Sequence, residues 1–365
     1  MADAPEFSLL VKPVSFDCNL RCDYCFYLKK EEFFGCGKHL MSRQTLEKMI
    51  SGFLRTPQPL HAFGWQGGEP TTAGLDFFRE AVRLMEQYGR GGVRVSNALQ
   101  TNGTLLDDEW AAFLKQYHFL VGVSLDGPAM LHDLHRKDAA GQGSHGRVLR
   151  GIDALRRHGV QYNILTLVNR DAAQQPLTVY RYLRDEMQTQ FHQYIECVET
   201  APDGSLQPYA LTPELWGEFL CRIFDEWYQY DLQRVSVRLF DAVLNKLVLG
   251  TPNSCAMSRC CNHYLVIEHD GSIYPCDFFV QPEYRLGKVG DRALEKFLIL
   301  PEMRAFSREK AAVPPECAAC RYYRFCAGDC TKNRRSGRSL LCAGWKMFYE
   351  HALPRFEEIA RRIPR

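Results

Sequence analysis

Between residues 8 and 198 the chain alternates two periodicities. Short apolar runs of strand length are followed by longer stretches in which apolar side chains return at every third or fourth position. The runs predict strands at Ser8–Val14, Ala62–Trp65, Val93–Gln100, Phe119–Ser124, Tyr162–Val168 and His192–Val198. The periodic stretches predict helices at Ser42–Leu54, Leu75–Tyr88, Asp107–Gln116, Gly146–His158 and Gln175–Met187, with Ser42 and Asp107 as N-caps. A strand–helix unit repeating about every 30 residues predicts an α/β fold with a parallel sheet.

A helix at Pro213–Tyr230 leads into a different region. From about residue 250 the alternation stops and cysteines become dense. There "HYLVIEHDGSIYPCDFF" predicts a β-hairpin turning at Asp270-Gly271, and a last helix is predicted from Trp345 to Arg361. Four short motifs follow strands: "CNLRCDYC", "QGGEPT", "QTNGT" and "SLDGP". In a β/α barrel, strand C-termini are where an active site is built.

With 365 residues and 46% hydrophobic content, the chain can bury a core and is expected to form two domains, 1–235 and 236–365. A formal net charge of +2 argues against bulk nucleic-acid or membrane-surface binding. Neither a transmembrane run nor a signal peptide is evident, so the cytoplasm is the expected location. Fifteen cysteines point to metal or redox chemistry, because disulfides are disfavoured in that compartment.

Cys18, Cys22 and Cys25 form C-x3-C-x2-C with no fourth cysteine nearby. A structural zinc site is one reading, but such sites take four protein ligands. Three thiolates in one short loop suit an iron–sulfur cluster with an open iron. This loop, with Gly67-Gly68-Glu69-Pro70 after the second strand, resembles the signature of radical S-adenosylmethionine (SAM) enzymes. The resemblance implies a partial (β/α)6 barrel whose open iron is chelated by SAM. It implies that Cys18, Cys22 and Cys25 hold the cluster and that the Tyr24 backbone lies near the adenine. Gly67, Gly68 and Glu69 would face the SAM amino group, Asn102 and Ser124 the ribose or amino-acid part, Arg136 the carboxylate, and Val198, ending the sixth strand, the adenine.

Nine more cysteines lie between 255 and 342, with Cys317, Cys320, Cys326 and Cys330 at C-x2-C-x5-C-x3-C. Two zinc ribbons are an alternative to two iron–sulfur clusters. The region resembles the SPASM extension, a cysteine-rich C-terminal domain carrying two auxiliary [4Fe–4S] clusters, three in all with the first. The resemblance assigns Cys255, Cys261, Cys276 and Cys330 to one cluster, with Cys260 as an alternative to Cys261. It assigns Cys317, Cys320, Cys326 and Cys342 to the other. The usual Gly-Gly-Cys is here "AGDC", with Asp329 in the second glycine place. Cys36, Cys197 and Cys221 are expected to be core or surface thiols.

"GWQGGEPT", "LQTNGTL", "GVSLDGP" and "GSIYPCDFFV" resemble the anaerobic sulfatase-maturating enzymes over nearly the whole chain. That resemblance implies oxidation of a Cys or Ser in an unfolded or nascent sulfatase to Cα-formylglycine, with an electron donor such as flavodoxin or ferredoxin. A carboxylate is ionised near neutral pH and can accept a proton if positioned; the resemblance gives that task to Asp277, next to Cys276. A SPASM enzyme that crosslinks a small ribosomal peptide is the competing expectation. Many of those carry an N-terminal leader-binding domain, whereas here the first predicted strand begins at Ser8. No residue distinguishes a Cys from a Ser substrate.

Overall fold

Strands form where the apolar runs were, and their C-terminal ends carry the polar motifs. The computed structural model describes residues 6–363. The strands are β1 Ser8–Val11, β2 Leu60–Trp65, β3 Arg94–Thr101, β4 Leu120–Ser124, β5 Tyr162–Val168, β6 Phe191–Glu196, β7 Ser236–Val237, β8 Tyr264–Ile267, β9 Ser272–Tyr274 and β10 Gly287–Lys288. The principal helices are α1 Arg43–Leu54, α2 Leu75–Tyr88, α3 Asp108–Gln116, α4 His145–Arg157, α5 Pro213–Tyr230 and α6 Cys342–Arg362. The Ser42 hydroxyl accepts the Thr45 N–H at 3.1 Å and the Asp107 carboxylate accepts the Trp110 N–H at 2.9 Å, so both predicted N-caps form.

The chain divides into two compact units. The first comprises the described residues of Met1–Val123, Arg136–Tyr162 and Cys261–Arg308; the second, those of Ser124–His135, Asn163–Cys260 and Glu309–Arg365. In the first unit β1, β2, β3 and β4 run parallel in sequence order. The hairpin of the cysteine-rich region joins the same sheet. Strand β8 pairs in parallel with β1, Val11 opposite Ile267, and β9 and β10 follow antiparallel. Gly271, at φ +82°, makes the predicted turn. Val266, Tyr274 and Val280 pack as a small core beneath it.

In the second unit β5, β6 and β7 are parallel. Its core is aromatic: Phe224 of α5 meets Phe356 of α6 at a centroid distance of 4.7 Å and Phe240 at 5.5 Å.

Four predicted elements have clearly different bounds. The first strand stops at Val11 rather than Val14, because Pro13 offers no N–H and Ser15 has φ +51°. The sixth spans Phe191–Glu196, so Val198 lies beyond the strand it was expected to end and Cys197 just past it. The predicted Gln175–Met187 helix is instead Pro176–Arg181 continued by a π-helical turn, Tyr182–Glu186. The last helix starts at Cys342, three residues before the expected Trp345. Among the described residues, no helix is long and apolar enough to cross a membrane.

Candidate active site

The first unit gathers most of the predicted cofactor residues at the C-terminal ends of its strands. The Cys18–Cys25 loop follows β1 and begins with the Leu20 N–H donating to Cys18 Sγ at 3.3 Å. The Asp17 carboxylate ties it to His39, accepting the backbone N–H at 2.7 Å and lying 2.9 Å from Nδ1. Tyr24 is buried, and the Arg136 guanidinium lies 5.5 Å from its ring centroid.

The glycine motif forms a floor under this loop. The Gly68 N–H donates to Ser15 O at 2.6 Å and the Glu69 N–H to Asp17 O at 2.8 Å. Gly67 has φ +144°, and a Cβ on Gly68 would lie 2.0 Å from Asp17 O. Only glycine lets the two backbones approach this closely. Gly67 and Gly68 therefore touch the approach to the cysteine loop directly.

Glu69 is fully buried, and its carboxylate accepts four hydrogen bonds. Thr71 N–H, Thr71 Oγ1 and Thr101 Oγ1 reach Oε1 at 3.1, 2.6 and 2.7 Å, and the Asn102 N–H reaches Oε2 at 2.6 Å. It thus clamps the end of β2 to the end of β3. Asn102 Nδ2 continues the chain to Asn19 Oδ1 at 2.8 Å and lies 3.8 Å from Cys18 Sγ. Burial pushes the Glu69 pKa above the usual carboxylate range, against the pull of these donors. Glu69→Gln would turn an amide N–H toward donors. We expect it to lower stability by about 1–3 kcal/mol, read as a lower denaturation midpoint under anaerobic conditions; an unchanged midpoint would contradict the clamp.

Burial, then the Glu69 carboxylate, push the Cys18 thiol up to about 12. An unliganded thiol there stays protonated, whereas coordination to iron deprotonates it outright.

Asp277 sits just beyond the hairpin. Its Oδ2 accepts from Gln66 Nε2 at 3.3 Å and lies 3.7 Å from Lys12 Nζ; its Oδ1 accepts from Tyr264 at 3.3 Å. Tyr264 also lies 3.2 Å from Cys276 Sγ. Lys12 is only 1% exposed, with Nζ 4.4 Å from the centroid of the Tyr27 ring. Burial pulls the Lys12 pKa below its ordinary value, opposed by Asp277 and Glu268. The Tyr27 hydroxyl donates to Glu268, which is also fully buried.

Lys12, Gln66, Tyr264 and Glu268 are the residues that sequence reasoning missed. Lys12 and Gln66 follow β1 and β2, and Glu268 follows β8. Backbone pairing holds these ends level: the Lys12 N–H donates to Ile267 O at 2.8 Å and the Gln66 N–H to Val11 O at 2.9 Å. A lysine within the predicted strand Ser8–Val14 carries no sign of burial by itself, and what buries it is the pairing with β8.

The second unit holds Ser124 and Val198, both buried. It also holds Cys317, Cys320, Cys326 and Cys342, which line one cavity of about 120 Å³ together with Tyr322, Tyr349 and Arg338. Four thiols around a single pocket fit the donor requirement of a closed cluster. Of the other assigned set, Cys255 and Cys330 belong to this unit and Cys261 and Cys276 to the first. Cys260 Sγ lies 3.5 Å from Ser258 Oγ, while the Cys261 N–H donates to Ser307 at 3.2 Å. Burial and the charge of Asp329 push both Cys326 and Cys330 up to about 12. None of the fifteen cysteines forms a disulfide; Cys36 is exposed, Cys221 partly buried and Cys197 buried.

A parallel sheet with a three-cysteine loop at its C-terminal edge, followed by a region with a four-cysteine pocket, defines a radical SAM enzyme with an iron–sulfur extension. Residues 13–183 match the Radical SAM superfamily and residues 255–321 the SPASM iron-sulfur cluster-binding domain. The chain is 36% identical to a cysteine-type anaerobic sulfatase-maturating enzyme of Clostridium perfringens, over 98% of this chain and all of that protein. It is 35% identical to a serine-type enzyme of Bacteroides thetaiotaomicron, over 99% of this chain and 92% of that one. The solved structure of native anSMEcpe with bound AdoMet and Cp18Cys peptide superposes with a TM-score of 0.91 at 36% identity, covering 99% of this chain and 100% of that one. The chain belongs to the anaerobic sulfatase-maturating enzymes. The fold is the family's α/β partial barrel, with an unclosed sheet, and the family's cofactors are a radical SAM cluster, two SPASM clusters and AdoMet.

Proposed function

We propose that this enzyme oxidises a cysteine or serine side chain of a sulfatase polypeptide to Cα-formylglycine, with Asp277 as the base. The observation that carries this reading is the fixed carboxylate of Asp277, oriented by Gln66, Tyr264 and Lys12 beside Cys276. Cys18, Cys22 and Cys25 would hold the first cluster. Cys317, Cys320, Cys326 and Cys342 would hold one auxiliary cluster, and Cys255, Cys261, Cys276 and Cys330 the other. When bound, AdoMet on the first cluster would supply the radical chemistry that removes a Cβ hydrogen, and the auxiliary clusters would supply an acceptor for the remaining electron.

The protein's own residues do the rest. Asp277 takes the thiol or hydroxyl proton. Gln66 and Tyr264 aim its oxygens, and the Lys12 ammonium stabilises its negative charge in a site sheltered from water. The Glu69 clamp and the glycine floor hold the cysteine loop, and Asn102 at the end of β3 and Arg136 just after the short helix Ala129–His135, with Ser124 and Val198, would bind AdoMet. A cysteine substrate would leave as a thioaldehyde that water converts to the aldehyde; a serine gives the aldehyde directly.

We place the domain boundary near residue 235, between the two matched segments. An acidic one-electron carrier such as flavodoxin or ferredoxin is the proposed donor, and the cytoplasm the proposed location, where thiols stay reduced.

The test is anaerobic reconstitution with iron, sulfide, AdoMet and reductant, using matched sulfatase peptides with Cys or Ser at the target position. Loss of two hydrogens from the target residue, with sulfur then exchanged for oxygen in the Cys peptide, is expected. 5′-Deoxyadenosine without any aldehyde from either peptide would overturn the substrate assignment.

A further inference from the structure

The loop before Cys330 carries a charge that its position does not require. Asp329 adopts φ +65°, the left-handed conformation that glycine takes without strain. An aspartate there needs compensation, and the structure supplies it. Oδ1 accepts the Cys330 N–H at 2.6 Å, and Oδ2 accepts from Ser339 Oγ at 2.6 Å and Trp345 Nε1 at 3.1 Å. The residue is 2% exposed. All three donors are neutral. Two cations lie close, but Lys310 Nζ and Arg334 Nη2 donate to the Asp329 carbonyl oxygen, not to the carboxylate. The carboxylate is therefore buried, fixed by three hydrogen bonds and placed one residue from Cys330 and three from Cys326.

We propose that the Asp329 carboxylate is a fixed negative charge that lowers the reduction potentials of the iron–sulfur clusters bound through Cys326 and Cys330. This rests on the reading that those cysteines are cluster ligands. Reduction adds an electron to a cluster, and a nearby anion in a poorly screened interior opposes it. Net charge and hydrogen bonding around the cysteines are the protein's levers on such potentials. A lower potential keeps a cluster oxidised at a given ambient poise, the state from which it can accept an electron. Asp329 is in this sense a positioning residue, acting through the charge it holds beside the ligands.

Two substitutions with opposite expected signs separate charge from structure. Asp329→Asn keeps the size and a hydrogen-bond acceptor but removes the charge, and the auxiliary-cluster midpoint should rise. Ser339→Ala keeps the charge but removes a donor that partly neutralises it, and the midpoint should fall. Both would be measured on the reconstituted holoenzyme by potentiometric titration followed by electron paramagnetic resonance, without peptide and with bound iron quantified. A midpoint unchanged in Asp329→Asn with full iron content would overturn the proposal. If Asp329→Asn loads iron poorly, Ser339→Ala decides alone, and a midpoint there that rises or stays constant overturns it. Cys326→Ala and Cys330→Ala address the underlying reading: full iron content in both would reject the ligand assignment, independently of the potentials.

Discussion

Asp277→Asn is expected to abolish formylglycine production while the enzyme still cleaves AdoMet. Asparagine preserves the size of the side chain and one oxygen, which can still accept from Gln66 Nε2, while the Tyr264 hydroxyl can accept from the new amide N–H. What disappears is the capacity to take a proton. General-base catalysis contributes roughly 10²–10⁴-fold, so aldehyde formation should fall by about 10³-fold. 5′-Deoxyadenosine formation should stay within a few-fold of the parent, because the Cys18–Cys25 loop and its glycine floor are untouched. The variant also leaves Lys12 without its counter-charge. Burial already pulls the Lys12 ammonium toward its neutral form, so the lysine can shed its proton rather than unfold the site. Iron content should be unchanged. Aldehyde production at the parental rate would show that another group takes the proton.

Gly68→Ala should remove the first cluster. Its new Cβ would lie 2.0 Å from Asp17 O and 2.6 Å from the carbonyl carbons of Phe16 and Asp17. These are backbone atoms, which no rotamer change can move aside. The backbone carrying Cys18 must shift, or the β2 end must, and either breaks the bonds from Gly68 N–H to Ser15 O and Glu69 N–H to Asp17 O. Overpacking of this kind typically costs about 1–3 kcal/mol. Misplacing reacting groups by about 1 Å costs about 100-fold in rate, so 5′-deoxyadenosine formation should fall at least that far, along with the iron of one cluster. Gly146→Ala is the control. Nothing lies within 4 Å of its Cβ, and it should behave as the parent. Gly68→Ala with full iron and normal AdoMet cleavage would show that the floor does not support the cluster loop.

Legibility from sequence varied with how local the deciding force was. Strand β5 and helices α2 and α5 have the predicted ends, because periodicity and capping residues set them within a few positions. The ends of β1 and β6 were misplaced, since a strand stops where its neighbour's backbone stops offering partners, and apolar residues such as Val14 and Val198 continue past that point. The helix expected at Gln175–Met187 carried a clear helical period but not its change of winding at Tyr182. At the site, the cysteine triplet and Gly67-Gly68-Glu69 stood out as residue types at telling spacings, while Asp277 was picked out only by the family resemblance. Lys12, Gln66, Tyr264 and Glu268 did not stand out, since each is ordinary in its local context.

The sequence by itself supplied the residues: three cysteines in one short loop, nine more between 255 and 342, and a carboxylate next to one of them; what they hold was implied by the family resemblance. Spacing within a loop is local, so it survives in one dimension. Only the tertiary structure decided what surrounds that carboxylate. The hairpin strand β8, Tyr264–Ile267, lies parallel to β1, Ser8–Val11, although the two are far apart along the chain. That pairing buries Lys12 and sets it against Asp277, and no period or motif in either segment encodes it, because the backbone hydrogen bonds that align the strands are indifferent to side-chain identity.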